Sequence, residues 1–239
     1  MNEFINGNCI EYMGTMKDKS VDLICTDPPY LMQYKTGRRN NKANKFDIDQ
    51  RDKMHKFATT IVGDDDEELI RHYINESYRI LKDDRAMYMF CTSSTYSIFE
   101  NHILSAGFDI KNVIVWVKSN HTAGDLYGAF GKKHEFIILA SKGSAKYNGK
   151  RINDVWEFKT VSGNSQEHQN QKPLDLISQC IEKHSNVGDV VFDGFAGSGT
   201  TLVAARNLNR NYIGVEIDEE YYSVAERRLT KGSTGILQF

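Results

Sequence analysis

The strongest constraint on the fold of this chain is a regular alternation of short apolar runs with amphipathic helical stretches. Val21–Thr26 is a short, mostly apolar run that ends in a turn, which suits a buried strand. Residues 64–68 open a helical stretch in which Ile70, Ile74, Tyr78 and Leu81 recur at helical spacing, and its first-turn acids complement the helix dipole. Residues 86–91 predict the next strand, 96–106 a helix, and 110–117 and 135–140 two further strands. Residues 173–184 predict a helix with proline near its first turn, where the missing N–H does no harm. A strand over 189–192, a helix over 200–209, a strand over 212–217 and a final helix over 219–229 complete the series. Repeated strand–helix units predict a three-layer α/β domain with a mostly parallel sheet. The 239 residues suit one domain, 1–239, large enough to bury a core without a disulfide or metal staple. In such sheets ligands gather at the carboxyl ends of strands, so the residues just after strands come first.

Two stretches interrupt the alternation: residues 31–61, polar and basic, and residues 141–171, rich in Gly, Ser, Asn and Gln. The formal net charge of −2 averages over unlike patches. Residues 35–56 hold eight Lys or Arg against three Asp, and residues 118–151 hold seven against two acids. Cys9, Cys25, Cys91 and Cys180 are far apart with no C-x-x-C pair, which argues against zinc and redox chemistry and predicts no metal site. Unpaired thiols fit a reducing cytoplasm. The N-terminus lacks the apolar core of a signal peptide, and no run approaches the ~18 apolar residues of a membrane span, so the expectation is a cytoplasmic protein.

The segment Asp193-Gly194-Phe195-Ala196-Gly197-Ser198-Gly199-Thr200-Thr201 runs from a predicted strand through a glycine loop into a helix. Gly197 and Gly199 let the backbone approach a ligand closely, and the helix start offers free N–H groups to an anion. A lone G-x-G is equally a tight strand–helix turn. Leu202 stands where a dinucleotide fingerprint has its third glycine, and no Gly-Lys-Thr follows, so neither a dinucleotide nor a nucleoside triphosphate is favoured. Glu216 ends the next strand, placed to accept hydrogen bonds from ribose hydroxyls. Loop and acid together suit a ligand with a ribose and an anionic group but no pyrophosphate, a description that S-adenosylmethionine meets.

Only three prolines occur, and two of them are adjacent in Asp27-Pro28-Pro29-Tyr30, directly after the first strand identified above. Pro29 forces Pro28 away from the α region and neither donates an N–H, so the strand end is rigid and offers acceptors, the Asp27 carboxylate and the Pro28 carbonyl. Tyr30 adds an aromatic face. This suits an exocyclic base amine, whose lone pair is delocalised into the ring. If both of its hydrogens are accepted, the nitrogen can turn tetrahedral and attack a sulfonium methyl group, and the acceptors bind most tightly in the transition state. The base has to leave its stack to reach such a pocket, and Tyr30 can stack on it there.

These motifs resemble those of the DNA amino-methyltransferases, which make N6-methyladenine or N4-methylcytosine, in the order found in their β subgroup. Asp27, Pro28, Pro29 and Tyr30 match the catalytic motif. The run from Phe195 through Gly197 and Gly199 to Thr200 matches the cofactor loop, and His168-Gln169-Asn170-Gln171-Lys172-Pro173 is similar to the H-x-x-Q-K-P segment that lines the methionine end of the site. The resemblance implies a Rossmann-like S-adenosylmethionine-dependent methyltransferase fold. It implies cofactor contacts from Asn8, Lys172, Pro173, Asp193, Phe195, Gly197, Gly199, Thr200, Thr201 and Glu216. Asn8 stands where the family commonly has Asp, and could offer an amide oxygen to the cofactor adenine. Trp116-Val117-Lys118 and His134-Glu135-Phe136 resemble substrate-side blocks, and equally read as strand-core aromatics with flanking charge.

The expected reaction is methylation of adenine N6 in DNA, because Asp before Pro-Pro-Tyr is typical of that specificity. Cytosine-N4 methylation, RNA adenine or protein glutamine methylation, and an inactive nucleic-acid-binding module are the alternatives. Lys35, Arg38, Arg39, Lys42 and Lys45 in the basic insert of about 31–61 are expected on DNA phosphates. Target recognition falls to about 141–167, where Lys142, Lys146, Lys150 and Arg151 are candidate contacts. That segment is too short for a separate recognition domain. A short target site, relaxed specificity or a homodimer would follow, and the family also suggests a cognate restriction endonuclease as partner.

Overall fold

A computed structural model describes residues 2–31, 66–121, 128, 130–161 and 171–231. Eight strands form one sheet: β1 (Asn2–Asn6), β2 (Val21–Thr26), β3 (Leu81–Cys91), β4 (Asp109–Val117), β5 (His134–Lys142), β6 (Val155–Glu157), β7 (Val190–Asp193) and β8 (Asn211–Glu216). The helices are α1 (Cys9–Thr15), α2 (Glu67–Ile80), α3 (Tyr96–Ser105), α4 (Leu174–His184), α5 (Thr200–Asn207) and α6 (Glu219–Lys231). Strand order is β1-β8-β7-β2-β3-β5-β4-β6, parallel throughout except where β5 runs against both β3 and β4.

Side-chain alternation along the central strands builds two cores, one on each face. Met87, Met89 and Cys91 of β3 pack with Ile70, Tyr73 and Ile74 of α2 and Phe99 and Ile103 of α3. Their neighbours Ala86, Tyr88 and Phe90 face the other way, against Leu176, Ile177, Cys180 and Ile181 of α4 and Ala204 and Ala205 of α5. Helices therefore cover both faces, giving the three expected layers. No helix among the described residues is long and apolar enough to cross a membrane.

Several boundaries differ from the sequence expectation. Leu81, expected on the helix, ends it and opens β3 by pairing with Val21, and a register shift follows near Asp84, whose φ is +58°. The stretch from residue 141 is not wholly irregular, since Ser141 and Lys142 extend β5 and Val155–Glu157 adds an edge strand along β4. The elements before residue 21 are too short for a periodic signal: β1 is a partly buried five-residue edge strand, and α1 buries only Cys9 and Met13. The basic insert, with Lys35, Arg38, Arg39, Lys42 and Lys45, lies outside the described residues, as do His168, Gln169 and Asn170.

Candidate active site

The ends of β2 and β7 lie side by side because the two strands pair in parallel, Leu23 with Val191 and Ile24 with Phe192. The Thr26 hydroxyl donates to the Asp193 carboxylate across a 3.0 Å hydrogen bond. The Asp27–Tyr30 turn and the glycine loop, far apart in sequence, are thereby fixed next to each other on the carboxyl edge of the sheet, where α/β folds bind ligands.

The glycine loop is shaped from within the fold. Asp193 Oδ1 also accepts the Phe195 N–H at 3.1 Å. Asp193 is buried, and burial pushes its carboxyl up to about 7 against the hydrogen bonds that favour the charge. Gly199 has φ +76°, and a Cβ there would meet the Ala225 Cβ at 2.8 Å, so this glycine allows α6 to pack against the loop. Gly197 has φ +51° but faces open space, with nothing within 4 Å of a Cβ. The Arg228 guanidinium from α6 clamps the loop through the Ser198 carbonyl, the Ser198 hydroxyl at 3.0 Å and the Thr200 hydroxyl at 3.2 Å. Thr201 turns inward to donate to the Cys25 carbonyl at 3.5 Å. The hydroxyls of both threonines thus have partners in the protein, whereas the Gly197 backbone is what the loop presents outward.

Glu216, at the end of β8, accepts the Gly197 N–H at 2.7 Å on one oxygen and the Asp218 N–H at 2.9 Å on the other. Each oxygen keeps a second lone pair, and burial raises the carboxyl above its usual range. Asn8 is a correction to the sequence expectation. Its side-chain oxygen caps α1, accepting from the N–H groups of Ile10 at 2.8 Å and Glu11 at 3.3 Å, which leaves the amide N–H groups rather than the oxygen for a ligand.

The Asp27–Tyr30 turn carries an ion network that sequence reading missed. Tyr30 does more than offer a flat face: its hydroxyl donates to Asp27 Oδ1 at 2.5 Å and lies 3.4 Å from Glu135 Oε2. Lys172, expected at the cofactor, places its ammonium 2.7 Å from Asp27 Oδ2 and 3.2 Å from Glu135 Oε2. It also donates to the Tyr30 hydroxyl at 3.0 Å and lies over the rings of Tyr30 and Phe90. Pro173 is the N-cap residue of α4 and holds Lys172 at the head of that helix. Lys118, just beyond β4, closes the network by donating to Glu135 Oε1. Lys172 is 8% exposed and Glu135 14%, whereas the Asp27 side chain is 26% exposed and opens towards the ligand edge.

Charge balance explains the protonation states. Burial disfavours the Glu135 carboxylate, but Lys172 and Lys118 outweigh it and hold the group below the usual carboxylate range. Burial likewise disfavours the Lys172 ammonium, and the charges of Asp27 and Glu135 reverse that and raise it. At Asp27, burial and the Glu135 charge win over Lys172 and Tyr30, so this carboxyl titrates above its usual range. Burial beside two carboxylates pushes the Tyr30 phenol well up, so it stays a neutral donor.

A family model described as a DNA methylase, for N6 and N4 methylation, matches residues 21–227. YubD of Escherichia coli (strain K12) is 34% identical over 96% of this chain and 90% of its own length. The type II methyltransferase M.HinfI of Haemophilus influenzae is 31% identical over 96% of this chain and 68% of its own length. The crystal structure of an M1.HpyAVI–SAM complex superimposes with a TM-score of 0.67 at 29% identity, covering 96% of this chain and 99% of that one. With its Asp27–Tyr30 turn and glycine loop joined at the edge of such a sheet, the chain belongs to the N6/N4 DNA methylase family.

Proposed function

We propose that this protein transfers a methyl group from S-adenosylmethionine to the exocyclic N6 amine of adenine in DNA, with the base turned out of the duplex into the Asp27–Tyr30 pocket. The observation that carries this reading is the Asp27 carboxylate, partly open at the sheet edge and joined to the glycine loop through Thr26 and Asp193. Asp rather than Ser before Pro-Pro-Tyr supports adenine over cytosine.

The residues around the glycine loop fit the cofactor. Gly197 opens onto empty space, and Glu216 is fixed by two backbone N–H groups with lone pairs to spare for ribose hydroxyls. Asn8 adds amide donors beside it. Bound there, the cofactor supplies a methyl group on a positively charged sulfur. Asp27 and the Pro28 carbonyl accept the two amine hydrogens, which directs the nitrogen lone pair out of the ring plane as positive charge develops. The buried Pro28-Pro29 pair keeps those acceptors in place, since neither residue can rotate about φ. Tyr30 orients Asp27 through its hydroxyl and presents its ring to the base. Phosphates are held by the insert bearing Lys35, Arg38, Arg39, Lys42 and Lys45. Because the 141–167 segment is too small for a recognition domain, the target site is short, its choice is relaxed, or a second subunit shares in it.

Asp27→Ala tests the reading. Methyl transfer to DNA should fall by about 10²–10³-fold, the scale of removing a group aimed at developing charge. Calorimetric cofactor affinity should stay within a few-fold of wild type. Loss of cofactor binding with residual transfer would refute the assignment of Asp27.

A further inference from the structure

Lys172 poses a problem for the reaction just described, on which this inference rests. Its ammonium lies 2.7 Å from Asp27 Oδ2 while Tyr30 donates to Oδ1, so an amine that develops positive charge at Asp27 shares that carboxylate with a full positive charge. Loosening Lys172 from Asp27 would ordinarily leave a buried ammonium without a counter-ion, which is strongly unfavourable. Glu135 removes that obstacle. Its Oε2 is 3.2 Å from the same ammonium, against 2.7 Å for Asp27 Oδ2, so a shift of a few tenths of an ångström exchanges the closer partner. Lys118 pins the other oxygen of Glu135, and the flanking β4–β5 pairing of Trp116 with Glu135 fixes the height of the carboxylate.

We propose that Glu135 is a positioning residue for methyl transfer, the alternate counter-ion that takes over Lys172 when the target amine engages Asp27. No proton moves in this exchange. The ammonium keeps a carboxylate partner throughout, and its charge moves from Asp27 towards Glu135 as the amine engages Asp27. Lys118 has the supporting role of holding Glu135 in reach.

The groups facing Asp27 fix the sign of the test. They are Lys172 at the head of α4, Glu135 on β5 with Lys118 behind it, Tyr30 in the same turn, Asp193 on β7, and the thiols of Cys25 and Cys91. Burial pushes the Cys91 thiol up to about 12, and Cys25, hydrogen-bonded to the free Cys180 thiol, is also raised, so both stay neutral. Removing the Glu135 charge therefore lowers the midpoint of Asp27, and removing Lys118, which leaves Lys172 as the sole cation beside Glu135 and draws it from Asp27, acts in the opposite sense.

The experiment titrates the Asp27 carboxyl by ¹³C NMR in the ligand-free full chain, assigned by difference with Asp27→Asn, for wild type, Glu135→Gln, Glu135→Asp and Lys118→Gln. It then measures steady-state transfer to duplex DNA for the same proteins. The expected result is a midpoint displaced downward in Glu135→Gln and upward in Lys118→Gln. In Glu135→Gln, kcat/KM for DNA should fall about 10- to 100-fold with cofactor affinity within twofold of wild type, and Glu135→Asp should recover most of the loss. Midpoints that stay put or move together would overturn the proposal, as would wild-type kcat/KM in a folded Glu135→Gln. If Glu135→Gln does not fold, the direction of the Lys118→Gln midpoint decides. A wild-type protein that methylates no DNA would refute the functional reading instead, while the titration would still judge the ion network.

Discussion

Gly197 and Gly199 lie two residues apart in one loop and both have positive φ, yet the structure gives them different duties, and alanine at each should separate the two. At Gly199 an alanine takes a left-handed conformation, which costs ~1–2 kcal/mol, and drives its methyl group to 2.8 Å from the Ala225 Cβ on α6. Overpacking of that kind adds about 1–3 kcal/mol, so Gly199→Ala should lose roughly 2–5 kcal/mol, a large share of the ~5–15 kcal/mol a domain has. At Gly197 the same substitution meets nothing within 4 Å, so only the conformational cost remains, about 1–2 kcal/mol. If Gly197 faces the cofactor as proposed, the added methyl group also obstructs it, and cofactor affinity should fall about tenfold, ~1.4 kcal/mol. Urea unfolding reads the first effect as a lower midpoint at unchanged slope, and calorimetry with S-adenosylmethionine reads the second. Equal destabilisation by both alanines, or undiminished cofactor affinity in Gly197→Ala, would refute this division of the loop.

Two further outcomes follow from the same region. Asp193 has its carboxyl raised to about 7 by burial, against 3.8 for a free side chain, so folding is penalised progressively as pH rises from ~4 to ~7 and fully above that. Asp193→Asn, which keeps an acceptor for Thr26 and Phe195, should therefore flatten that dependence and gain up to about 4 kcal/mol above neutrality, at ~1.4 kcal/mol per unit. Denaturant melts at pH 4, 6 and 8 check this, and a gain that is constant across them would contradict it. Arg228→Met removes the clamp on Ser198 and Thr200, and should cost about 1–3 kcal/mol in unfolding free energy and weaken cofactor binding with little change in kcat at saturation. A reduced kcat with unchanged affinity would show that the clamp acts elsewhere.

The parts of the site that sequence could reveal are those whose chemistry is local. Asp27 to Tyr30 is legible because adjacent prolines between a carboxylate and an aromatic ring define their own backbone, and the run from Phe195 to Thr201 because its glycines mark a strand–helix turn. The partners of those residues come from elsewhere in the chain. Lys172 meets Asp27 across 145 positions, and Glu135 meets Lys118 through antiparallel pairing of β4 and β5, a register that alternation alone does not specify. The His134-Glu135-Phe136 block read equally as strand core and as substrate side, because a single carboxylate in a strand carries no sign of its counter-ions. Asn8 misled for a different reason: without a visible periodicity for α1, its role as helix cap was hidden. Sheet class followed from strand–helix alternation, but β5 breaks the parallel order because it returns directly beside β4 with no helix between them among the described residues.

On the proposed reading, the Asp27 pocket presents an adenine amine to a methyl donor. The most direct measurement incubates the full chain with methyl-labelled S-adenosylmethionine and unmethylated DNA, digests the DNA to nucleosides, and identifies the labelled species by mass spectrometry. The predicted result is label in N6-methyldeoxyadenosine, absent when Asp27 is alanine. Label found only in N4-methyldeoxycytidine would contradict the choice of base, and no labelled nucleoside at all would contradict the account of the pocket.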